Sequence, residues 1–151
     1  MALRKRYFEC HEAPPLARRG PVPPKESRVN PRLVADLLTT LNEPIRLRIL
    51  NSISCVPLAV ADLAAILATP ETVIVEAIKA LRDLGIVRSF TVVPYVLYAV
   101  VPLTAHHERL LRAALDRVRS DPVAQRDRSA ARRRSRARLD TRTRSALMDA
   151  T

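Results

Sequence analysis

Residues 60–101 read VADLAAILATPETVIVEAIKALRDLGIVRSFTVVPYVLYAVV, and the punctuation of this stretch decides the fold. Its first part predicts a short helix at about Val60 to Leu67, with Leu63, Ile66 and Leu67 turned inward. Thr69-Pro70-Glu71 then has the form of a helix start. Thr can cap, Pro fits the first position, and Glu complements the positive helix end. The helix that follows runs to Leu84, with Ile74, Ile78 and Leu81 as its core stripe. Gly85 stops it where a left-handed residue is required. Two β-rich runs come next, Ile86 to Thr91 and Tyr95 to Val101, close enough to pair as a hairpin before Pro102 ends the second.

The flanks add helices on both sides. Leu33, Val34, Leu37, Leu38 and Leu41 recur at i, i+1, i+4, i+5 and i+8, which places them on one helical stripe. Asn42 can cap a second helix with Pro44 in its first turn, where a missing N–H costs nothing. Ile45, Ile49, Leu50 and Ile53 form its expected buried face. Beyond Pro102, Leu110, Leu111, Ala114, Leu115 and Val118 repeat the pattern of the first helix. Both terminal helices offer more apolar positions than an edge helix needs for one small core. A dimer contact through Leu33, Leu37, Leu41, Leu111, Leu115 and Val118 is therefore expected. The fold class is mainly α with a small β-hairpin, in the order helix, helix-turn-helix, two-stranded wing, helix. That is the order of a winged helix-turn-helix module.

Charge divides the 151 residues into three parts. The formal net charge of +11 is made of +5 over residues 1–32, −1 over 33–104 and +7 over 105–151. A basic excess points to a polyanion, and here the two ends carry it. Residues 1–32 hold six of the twelve prolines without apolar periodicity and read as a basic arm. Residues 33–119 read as the folded domain. Residues 120–151 are Arg-rich, lack apolar periodicity, and are expected to form a solvated, disordered tail. No apolar run is long enough to span a membrane, because Pro57, Asp62, Pro70 and Glu71 interrupt the longest one. Nor does an apolar run follow the basic N-terminus, so a cytoplasmic, nucleoid-associated protein is expected. Cys10 and Cys55 make neither a disulfide framework nor a zinc site, although a redox pair between them stays open.

Two segments resemble a known family. Leu41-Asn42-Glu43-Pro44-Ile45-Arg46-Leu47-Arg48-Ile49-Leu50 resembles the opening helix of ArsR-type bacterial repressors. Lys79-Ala80-Leu81-Arg82-Asp83-Leu84-Gly85-Ile86-Val87-Arg88 resembles the end of their recognition helix, and Tyr98 falls where their second wing strand usually has an aromatic. The resemblance covers roughly residues 33–119 and implies a dimeric DNA-binding regulator. Metal-sensing members carry a Cys-x-Cys box ahead of an Asp-Leu pair on the third helix. Here Ala59-Val60-Ala61-Asp62-Leu63 stands in its place, and Ala has no lone pair to give a metal. His106, His107 and Glu108 are adjacent and point in different directions on a helix, so they read as a solvated helix start. No metal and no cofactor is expected.

The recognition helix departs from the family as well. Around Ile74 and Ile78 it presents Pro70, Glu71, Thr72, Val73, Val75, Glu76 and Ala77, of which Thr72 is the polar candidate for a base or phosphate. Glu71 and Glu76 would face phosphates, although Glu can accept from cytosine. Phe90-Thr91-Val92-Val93-Pro94-Tyr95 puts no charge on the wing. Val73, Val75, Val92, Val93 and Pro94 could form a patch for a protein partner, or contact each other or the N-terminal arm.

Enzyme chemistry finds no support in the motifs. There is no Gly-rich phosphate loop and no nucleophile elbow, and the chain has two glycines in all. The expected function is a DNA-binding transcriptional regulator. Thr72, Val73, Glu76 and Arg88 are its candidate recognition-helix and wing contacts. Arg46, Arg48, Arg132, Arg133, Arg134, Arg136 and Arg138 are its candidate backbone contacts, with the tail supplying most of the affinity. The alternatives are a winged-helix module for protein interaction and a nonspecific nucleic-acid binder.

Overall fold

The computed structural model describes residues 31–103 and 105–149. The arm before Pro31, with Cys10 and His11, lies outside the described residues. Helix α1 (Pro31–Leu41) buries Leu37 and Leu41 and leaves Leu33 and Leu38 about half exposed, at 48% and 55%. Helix α2 (Pro44–Ile53) has Pro in its first turn, as its sequence requires. Its N-cap is Glu43 rather than the expected Asn42, and no side chain closes the cap. Ile49, Leu50 and Ile53 face the core, and Asn51 and Ser52 are buried beside them. This helix is the hub of the domain, packing against every other helix and one strand.

Helix α3 (Val60–Leu67) and helix α4 (Glu71–Asp83) form the helix-turn-helix. Leu63 and Leu67 of α3 are buried, and Ile66 is half-buried. The turn between them places Ala68 at φ 51°, a left-handed conformation that strains a residue with a Cβ. Thr69 does not cap α4. Its hydroxyl donates instead to the Leu67 carbonyl at 3.1 Å, and Pro70 takes the N-cap position. Ile74, Ala77, Ile78 and Leu81 seat α4 on the core. At its far end the Gly85 N–H donates to the Arg82 carbonyl (2.8 Å) and the Ile86 N–H to that of Leu81 (3.0 Å), with Gly85 at φ +71°. This paired ending is the one the sequence predicts from Gly85.

Strand β1 (Val87–Val92) pairs antiparallel with strand β2 (Tyr95–Val100), in a register running from Val87↔Val100 to Val92↔Tyr95. The turn contains a cis Val93–Pro94 peptide. On its other edge β2 exchanges two hydrogen bonds with Leu58, so the segment entering α3 is tied to the wing strand. Helix α5 (Ala105–Arg119) returns over the core with Leu111 and Leu115 buried and Leu110 exposed.

The C-terminal segment is where sequence and structure part. Pro122–Asp149 is a single helix, α6, packed against α2, α3 and α5, and not a solvated tail. Its N-terminus is built by Asp121, whose Oδ1 accepts from the N–H groups of Val123 (2.7 Å) and Ala124 (3.3 Å), with Pro122 in the first turn. Its inward stripe is Ala124, Asp127, Ala131, Ser135 and Arg138, at helical spacing. Small residues let α6 approach closely, and polar pairs hold it there. No apolar periodicity announces such a contact.

The expected dimer stripes are corrected in part. Leu37, Leu41, Leu111 and Leu115 are each at most 7% exposed within this one chain, so they serve its own core. They join the core cluster around α2. Leu33 remains exposed and Val118 half-buried.

Candidate nucleic-acid interface

The helix-turn-helix presents α4 and the wing outward. Thr72, Val73, Glu76 and Arg88 are all exposed, as a reading face requires. So are Val75, Val93 and Pro94, with Val93 open at 77%. Val92 is half-buried. The exposed charges of α4 are Glu71 and Glu76 in its N-terminal half and Lys79, Arg82 and Asp83 toward its end. Its start, where a recognition helix meets base edges, is therefore acidic and apolar apart from Thr72.

The arginines sort into those engaged within the chain and those facing solvent. Arg48, expected as a DNA-backbone contact, is instead engaged within the chain. Its Nε and Nη2 donate to Asp127 Oδ2 and Oδ1 at 2.8 and 2.9 Å, and Asp127 is 4% exposed. The hydrogen bonds to Asp127 hold the Arg48 guanidinium above its usual pKa, against the opposing effect of burial. Arg46 donates to the Thr40 carbonyl at 3.1 Å and joins α2 to the end of α1. Asn51 Nδ2 donates to the Ala124 carbonyl at 3.1 Å, completing the seam between α2 and α6.

Farther along α6, Arg134 and Arg138 converge on Asp62 of α3, Arg134 at 3.5 Å and Arg138 in closer contact. Asp62 Oδ2 also accepts from the Ala59 N–H at 3.2 Å, closing the N-terminus of α3. The Arg138 guanidinium lies 5.2 Å from the centre of the Tyr95 ring on β2, and burial lowers its pKa. Arg132 Nε donates to Cys55 Sγ at 3.3 Å. Arg128 lies in the same neighbourhood, its pKa lowered chiefly by burial. Arg133 and Arg136 are exposed on the outer side of α6, and neither has an ion-pair partner among the described residues. Sequence reasoning found these arginines but not Asp62, Asp127 or Tyr95, which divide them into two sets. The Asp121-Pro122 pair was the available signal for the helix that carries them.

An open depression of about 660 Å³ runs along α6, lined by Pro122, Arg126, Ser129, Ala130 and Arg133 among others, with Ile66 of α3 at its edge. Among the described residues no three His, Cys, Asp or Glu side chains gather as a metal site would require. No helix among them is long and apolar enough to cross a membrane.

Residues 43–89, from the N-cap of α2 into β1, match the family model described as bacterial regulatory protein, arsR family. The segment is an ArsR-type helix-turn-helix domain. The match spans α2, α3, α4 and the first half of β1, the elements that position Thr72 and Arg88. No curated protein matches the chain. An ArsR-type domain is a DNA-binding unit of transcription regulators. Around the matched segment this chain wraps α1, α5 and the Arg-rich α6.

Proposed function

We propose that the protein is a homodimeric transcription regulator that lacks the metal-sensing box and draws most of its DNA affinity from α6. The carrying observation is the contrast between two exposed faces. The first turns of α4 offer Thr72 between Glu71, Val73 and Glu76, whereas the outer side of α6 offers Arg133 and Arg136 without partners among the described residues. Phosphate contacts supply affinity with little sequence choice, and Thr72 and Arg88 supply what discrimination there is. The dimer would form through the outer rows of α1 and α5, where Leu33, Leu38 and Leu110 are exposed. Ala59 and Ala61, in place of thiols, leave the regulator without metal control at α3.

The test is fluorescence anisotropy of the full chain on duplex DNA across a salt series. Replacing Arg133 and Arg136 together by Gln should weaken binding and reduce the salt slope by about two. Unchanged affinity and slope would refute the role given to α6. A second reading rests on Val73, Val75, Val93 and Pro94, which leave the usual reading face apolar. On that reading the face holds a protein partner, and Val73→Asp with Val93→Asp would leave DNA binding intact.

A further inference from the structure

At the N-terminal end of α3 three elements meet on one carboxylate. Asp62 receives Arg134 and Arg138 from α6 and the Ala59 N–H from its own helix, and Tyr95 of the wing strand covers Arg138. The guanidinium fork fits the oxygens of a phosphate as it fits those of a carboxylate. The positive end of α3 favours an anion at the same place. In a helix-turn-helix the first helix crosses the DNA backbone, so this corner lies where phosphates pass.

We propose that Arg134, Arg138 and the N-terminus of α3 form a binding site for a DNA backbone phosphate, which Asp62 occupies in the free protein. The inference rests on the DNA-binding reading above. Asp62 acts as an internal competitor: binding of a duplex transfers the guanidiniums from carboxylate to phosphate. Arg134 is the first to transfer, since its 3.5 Å contact is the looser and its side chain is 47% exposed. Arg138, 12% exposed and stacked on Tyr95, links the exchange to the wing. Asp62 therefore weakens DNA binding although it closes its own helix.

The experiment compares wild type, Asp62→Asn, Arg138→Gln and the double variant by anisotropy on a duplex and on a single-stranded RNA of equal length. Asn can still accept from the Ala59 N–H, so the helix end keeps its closure, and thermal melts by circular dichroism verify that each variant is folded. Asp36→Asn on α1, an exposed residue, controls for the change in net charge. Asp62→Asn should tighten duplex binding about fivefold, the worth of one contact, and more than Asp36→Asn does. That gain should fall in the Arg138→Gln background, where Arg134 alone is left to transfer. An equal gain without Arg138, no gain beyond the charge control, or a gain for RNA alone would overturn the proposal. A wild-type chain that binds no duplex would instead defeat the DNA-binding reading itself.

Discussion

Arg48 and Asp127, seventy-nine residues apart, meet in a two-pronged ion pair at 2.8 and 2.9 Å that fastens α6 to the central helix α2. Asp127 is buried at the join, and Arg48 is about one-third exposed. Removing either partner strands the other. Asp127→Ala should lower stability by about 3 kcal/mol, read as a fall in the urea midpoint. Loss of less than about 0.5 kcal/mol would show that α6 is not held there.

The pair also has a pH signature of known sign. Because Arg48 is raised above its unfolded value, its contribution is fully present below the ordinary Arg range and fades only as pH climbs through the folded value. Stability between pH 7 and 10 should therefore change equally in wild type and Arg48→Met. Guanidinium denaturation at these two pH values checks this.

Ala68 sits at φ 51° in the turn between α3 and α4, where glycine carries no Cβ penalty. Ala68→Gly should stabilise the protein by about 0.5–1 kcal/mol, seen as a higher melting temperature. A lower one would contradict the left-handed turn.

Leu111 and Leu115 belong to the core, whereas Leu33, Leu38 and Leu110 lie on the outside. Leu115→Ala should cost about 2–4 kcal/mol in unfolding free energy. Leu33→Asp with Leu38→Asp should instead leave the monomer folded and dissociate the proposed dimer in sedimentation. A wild-type monomer at tens of micromolar would remove the dimer from the account.

The legible part of this fold is the part whose signals are apolar and periodic. Ile74, Ile78 and Leu81 mark α4 by spacing, and Gly85 marks its end through a backbone conformation that glycine favours. The wing follows from two β-rich runs with Pro94 between them. α6 was hidden for a physical reason. Its contact stripe of Ala124, Asp127, Ala131, Ser135 and Arg138 has no large apolar residue, and its stabilising partners, Arg48, Asn51 and Asp62, lie some seventy residues away in sequence. Local pattern carries no information about such pairs. The Asp121-Pro122 start was readable, and would have placed a helix after α5. The candidate site was legible to the same degree: exposed Thr72 and Arg88 follow from helix and strand faces, but the commitment of Arg48 to Asp127 is a tertiary fact.

The central claim is that the full chain binds duplex DNA through its winged helix and basic helix together. Anisotropy titration against the gene's own upstream duplex and a scrambled duplex, at several salt concentrations, measures both contributions at once. The predicted result is binding to both that weakens steeply with salt, with a modest preference for the upstream sequence that Thr72→Ala and Arg88→Ala abolish. Absence of duplex binding at low salt would contradict it.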